Sequence, residues 1–105
     1  MNSFAISAAS PGRLEARGTI CFDSAAQALK AGLALIPNGQ PCTIDLSRVT
    51  EADSAGLAVL IEWLATARKR RSSIRYEGIP AQILALSRIS DLDELLLEEG
   101  SGTSK

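Results

Sequence analysis

Few side chains in this sequence could do chemistry, and they do not assemble into a familiar reaction centre. Cys21 and Cys42 could act as nucleophiles, Asp45 as an acid, and Asp53-Ser54 sets a carboxylate beside a hydroxyl. The chain has no histidine, which removes the usual general base and every Ser-His or Cys-His pair. An enzyme built on Cys21 or Cys42 would therefore lack a group to activate its thiol. Two cysteines without paired spacing and without histidine do not make a metal set either. Buried, inert thiols are the simpler role, and no metal or cofactor is expected. A G-x-x-x-x-G-K-[ST] loop is missing too, so the chain is expected neither to bind nor to hydrolyse ATP. Asp45 has no acid/base partner in sequence and reads as a hydrogen-bonded carboxylate at a strand end. No catalytic residue is assigned.

What remains is the segment 49–56. Small residues in Asp53-Ser54-Ala55-Gly56 leave backbone amides open to approach, and the free N–H groups of a helix start favour anionic or hydrogen-bonding partners. Asp and Ser are also favoured helix caps whatever the function, so capping and partner contact both stand as readings of this corner.

The elements that must position it follow from periodicity. Residues 4–9 and 13–20 flank the turn signal Ser10-Pro11-Gly12 and predict a hairpin, with Leu14 and Ala16 facing inward against Arg13, Glu15 and Arg17. Phe22, Ala25 or Ala26, Leu29, Leu33 and Ile36 recur at helical spacing, with Ser24 as the expected cap and Pro37-Asn38-Gly39 as the stop. Residues 42–46 predict a central strand, followed by a loop over 48–52. The strongest pattern covers residues 54–71, where Leu57, Leu60, Ile61, Leu64 and Ala67 form one stripe. The basic run of residues 68–71 complements the carbonyl end of that helix as a solvated terminus. Residues 73–78 alternate as a strand, and Pro80 opens a helix to 89. Ser90-x-x-Asp93 resembles a capping box before a last helix over 91–97. The order β-β-α-β-α-β-α-α predicts an α/β (α+β) fold, a small mixed sheet with helices packed against it. One domain is expected over residues 1–97, with 98–105 as a disordered tail.

Composition narrows the function class. Eleven basic and twelve acidic residues nearly cancel, which argues against a general nucleic-acid binder. Residues 1–10 carry no basic residue and no long apolar run, unlike a secretory signal. The longest apolar stretch, 55–61, is broken by Glu62 and falls well short of a membrane span. A soluble, cytoplasmic protein is expected.

The runs Thr43-Ile44-Asp45-Leu46-Ser47-Arg48-Val49 and Asp53-Ser54-Ala55-Gly56-Leu57 resemble the signature of the STAS family. That family includes bacterial anti-sigma-factor antagonists and the cytoplasmic domains of sulfate-type anion transporters. The likeness spans roughly residues 14–96. It is nearest to the stand-alone STAS subunit of Mla-type phospholipid-transport ABC systems, through residues 44–49, Ala55, the basic helix end and residues 81–92. The resemblance implies a non-catalytic cytoplasmic module of a Gram-negative bacterium whose partner is the ATPase subunit of an ABC transporter. It would meet the membrane only through that complex. The alternative within the family is an anti-sigma-factor antagonist. There the phosphorylated hydroxyl usually holds the place of Ala55, which cannot accept phosphate; a regulatory phosphate on Ser54 is the modification that remains open.

Asp53 and Ser54 are the leading contact residues. On the helix they begin, Ala55, Val59, Trp63 and Thr66 fall off the main stripe, and tryptophan is enriched at interface hot spots. Trp63 thus reads either as a partner contact or as a boundary residue packed under a neighbouring helix. The candidate partner-binding set is Thr50, Glu51, Asp53, Ser54, Ala55, Gly56, Val59, Glu62, Trp63 and Thr66.

Overall fold

The computed structural model describes residues 4–92 and Leu96. β1 (Phe4–Ser10) and β2 (Arg13–Ile20) form the expected antiparallel hairpin. Gly12 takes a φ of 76° in the connecting turn, a conformation glycine adopts without steric cost. The chain then crosses through α1 (Ala25–Leu35) to β3 (Pro41–Ala52), which pairs parallel with β2. A second crossover, through α2 (Ser54–Lys69), delivers β4 (Ser73–Glu77) parallel to β3. The sheet order is β1-β2-β3-β4, and α3 (Ala81–Ile89) follows. This mixed α+β arrangement keeps the predicted order from β1 through α3.

Alternation places the core. Leu14, Ala16 and Ile20 of β2, Ile44 and Leu46 of β3, and Ile74 and Tyr76 of β4 are buried together with Leu57, Leu60 and Leu64 of α2. Tyr76 brings a polar tip inward and donates its hydroxyl to the Leu60 carbonyl at 2.6 Å. Arg13, Glu15, Thr43, Asp45, Arg75 and Glu77 occupy the intervening positions of the strands.

Several local expectations need correction. β3 does not end near residue 47: the stretch expected as a loop pairs with β2, as Arg17↔Arg48, Gly18↔Val49, Thr19↔Glu51 and Ile20↔Ala52. Two register shifts interrupt the ladder, and β4 pairs only with residues 41–45 of β3. The second half of β3 thus has a strand neighbour on one side, so polar residues such as Thr50 and Glu51 stay in water there. α2 ends at Lys69 instead of 71. Arg71 enters the left-handed region at φ 58°, and Ser72 N–H returns to the Ala67 carbonyl at 2.8 Å, a helix stop in which six residues close on themselves. Asp91 ends α3 in the same way, with φ 59° and Leu92 N–H on the Ser87 carbonyl at 2.7 Å. Asp91 is therefore a helix stop, not the start of a last helix. Leu96 is helical and buried; the rest of the expected 91–97 helix beyond Leu92, and the expected tail, lie outside the described residues.

The basic run of residues 68–71 is not simply a solvated end. Arg70 donates through Nη1 to the carbonyls of Leu33 at 2.7 Å and Ile36 at 2.8 Å. It satisfies acceptors that α1 leaves open at its C-terminus and ties the two helix ends together.

Candidate functional site

The corner between β3 and α2 is built on one carboxylate. Asp53, in extended backbone at the N-cap, accepts through Oδ1 from Ala55 N–H at 2.9 Å and Gly56 N–H at 3.3 Å. Its other oxygen, Oδ2, accepts Phe22 N–H at 3.2 Å, and its own N–H reaches the Ile20 carbonyl at 3.4 Å. Asp53 thus caps α2 and fastens the turn between β2 and α1 to it. Ser54 is exposed at the first helical position and takes no part in the cap. Capping and surface presentation, read together from Asp53-Ser54, fall to separate residues.

Gly56 has a packing reason. A Cβ there would overlap the Ile20 carbonyl oxygen and press Ile83 Cδ1 at 3.3 Å, so α2 can approach β2 only over a bare backbone. The turn before α1 has its own lock. Ser24 sits at the helix start but makes no side-chain cap. Its hydroxyl instead accepts Cys21 N–H at 3.1 Å and donates to the Thr19 carbonyl at 2.8 Å.

The ten candidate partner-binding residues divide by burial. Thr50, Glu51, Ser54 and Glu62 are exposed, while Asp53, Ala55 and Thr66 are half-buried. Gly56, Val59 and Trp63 are buried, so the reading of Val59 and Trp63 as a surface contact is corrected. Trp63 is 0% exposed. Its indole N–H donates to the Leu29 carbonyl at 3.3 Å, and its ring lies 6.2 Å from that of Phe4. Gly32 of α1 makes room for it, since any Cβ there would overlap the indole. The tryptophan is the packing element between α1 and α2.

Phe22 was missed in the opposite direction. Helical spacing assigns it to the inward stripe of α1, yet it lies outside the helix and is 82% exposed. The signal was present: with Ser24 at the cap, Phe22 falls two residues before the cap and outside the helix, where its periodicity has no force.

The remaining chemical candidates are quiet. Burial raises the Cys21 thiol, helped by the carboxylates of Asp53, Glu51 and Asp23, and burial raises that of Cys42. Both are free, Cys42 buried and Cys21 only half-buried, against the expectation that both would be buried; the upward shifts favour the thiol over the nucleophilic thiolate. Asp45 lies within β3, not at its end. It accepts Ser47 N–H at 2.9 Å and pairs with Arg13 at 3.3 Å, contacts that hold its carboxyl below the usual range, the Ser47 bond first. Arg13 also meets Glu77 at 2.9 Å. Among the described residues no group of His, Cys, Asp or Glu could hold a metal ion, and no helix is long and apolar enough to cross a membrane. A cleft of about 420 Å³ beside Pro11, Gly12, Leu35 and Cys42 lies at the other end of β2 from this corner.

Residues 5–98 match the family model described as Mlab, STAS domain. The chain belongs to the STAS domain family. Two relatives of this STAS domain are the intermembrane phospholipid transport system binding proteins MlaB of Escherichia coli (strain K12) and Shigella flexneri. Each is 33% identical over 49 residues, covering 47% of this chain and 50% of the relative. The aligned stretch thus spans about half the length of these curated relatives. A crystal structure of a sulfate transporter family protein from Wolinella succinogenes superposes with a TM-score of 0.62 at 24% identity, covering 83% of this chain and 71% of that one. At that identity the likeness speaks for the STAS fold alone.

Proposed function

We propose that this STAS domain is a non-catalytic subunit that binds and supports the cytoplasmic ATPase of an Mla-type ABC phospholipid transporter. In this reading it sits on the cytoplasmic side of the inner membrane of a Gram-negative bacterium and helps maintain outer-membrane lipid asymmetry. The observation that carries the reading is the exposed Ser54 at the start of a helix whose cap is already supplied by Asp53. A hydroxyl not needed for the cap is available to a docked protein. The MlaB relatives, named as binding proteins of intermembrane phospholipid transport, direct the choice of partner. Two raised thiols and a chain without histidine support a role without catalysis. Ala55, where partner-switching relatives carry a phosphorylated hydroxyl, weighs against an anti-sigma-factor antagonist. A phosphate on Ser54 would meet the helix dipole favourably but would add bulk and a desolvation cost inside a packed interface.

The test is capture of the purified ATPase subunit by Ser54 variants, each with its thermal melt. Because Asp53 holds the cap, Ser54→Ala should change stability by no more than about 0.5 kcal/mol. Ser54→Thr should keep binding, and Ser54→Glu should lose most of it while staying folded. Full capture by Ser54→Glu would remove Ser54 from the interface.

A further inference from the structure

Phe22 stands in water on a backbone that is held in place. Its ring is 82% exposed, while its N–H is bound to Asp53 Oδ2 at 3.2 Å and the flanking turn is closed by the Ser24 hydroxyl on Cys21 N–H and the Thr19 carbonyl. An aromatic on a restrained turn gives up little conformational freedom when it docks, having two side-chain torsions to fix. The same Asp53 carboxylate caps α2, so Phe22 and Ser54 are presented by one rigid corner. Within the two segments that build that corner the charge has one sign, and Arg17 and Arg48 stand opposite each other just beyond them. Segments 18–29 and 49–67 contain Asp23, Glu51, Asp53 and Glu62 and no lysine or arginine. Three of these carboxylates act on the Cys21 thiol next to Phe22, which places them about the same turn.

We propose that Phe22 is the anchor residue of the docking surface at this corner, seated in an apolar pocket of the ATPase subunit whose rim is basic. This deepens the function proposed above and rests on it. An apolar anchor ringed by charge of one sign selects a partner with the opposite rim. It disfavours an anionic bilayer, and it disfavours a second copy that would bring equal charges face to face.

The experiment measures the affinity of the full chain for the purified ATPase subunit, with thermal melts alongside. Phe22→Ala should weaken binding by about tenfold or more, and Phe22→Leu by less, both with unchanged melting. Paired Asp23→Lys and Glu51→Lys should weaken it several-fold and flatten its salt dependence between about 50 and 300 mM. If Phe22→Ala binds as the parent does while Ser54→Glu fails, the anchor is wrong and the docking reading stands. If the parent chain does not bind the ATPase, both fall. Phe22-dependent self-association in sedimentation, or Phe22-dependent binding to phosphatidylglycerol vesicles, would identify a different occupant and overturn the proposal.

Discussion

The seam between α1 and α2 and the turn between β2 and α1 each carry one large aromatic, and they treat it in opposite ways. At the seam, the missing side chain of Gly32 opens a slot, and Trp63 fills it with its N–H satisfied by the Leu29 carbonyl. At the turn, the backbone polar groups are taken up by Asp53 and Ser24, and the ring of Phe22 is left outside. Where an aromatic goes is decided by the space the facing backbone leaves and by which hydrogen bonds hold its own backbone. A helical wheel contains neither quantity. An anchor for a partner and an anchor for the core can therefore look alike until the opposite surface is known.

That contrast can be broken most directly at Trp63. Truncation by Trp63→Ala should empty the slot and destabilise the domain by about 3–5 kcal/mol, read from chemical denaturation. Any loss of partner capture should then track the unfolded fraction. A folded, stable Trp63→Ala that lost binding would return the tryptophan to the interface. A middle effect belongs to the residue joining the two sites. Asp53→Ala removes the cap of α2 at a cost of about 0.5–2 kcal/mol. It should also speed hydrogen exchange at the Phe22 amide, whose acceptor is gone; unchanged exchange there would deny the link. The smallest effect is expected at Phe22 itself. Phe22→Ser should alter stability by less than about 0.5 kcal/mol, and a larger loss would mean that the ring packs against the fold.

Much of the framework was legible because alternation and helical period speak about a residue's own element. Leu14 and Ala16, Ile74 and Tyr76, and the Leu57–Leu60–Leu64 stripe all lie on the side their spacing implied. The corner was legible as a place, since Asp53, Ser54 and Gly56 stand where a helix starts. Their division of labour was not. That Asp53 alone caps, and that Gly56 is bare because of the Ile20 carbonyl, depend on β2, thirty-odd residues away. The extent of β3 was hidden for a related reason. Residues 48–52 have a polar composition suited to a loop, and only pairing with β2 makes them a strand. Arg70 looked like one more solvated cation, because its acceptors sit at the end of a different helix.

The guanidinium of Arg13 joins three strands, reaching Asp45 on β3 and Glu77 on β4 from its place on β2. Its surface exposure makes it a weak source of stability, but its value is as a ruler. β4 is five residues long and pairs parallel to a single neighbour, so a slip by one position is the error it is most open to. Such a slip would turn Ile74 and Tyr76 toward water and at the same moment pull Glu77 out of reach of Arg13. The two penalties fall on opposite faces of the sheet and arrive together. The alignment of the shortest strand is thereby specified twice, once by what it buries and once by what it leaves outside.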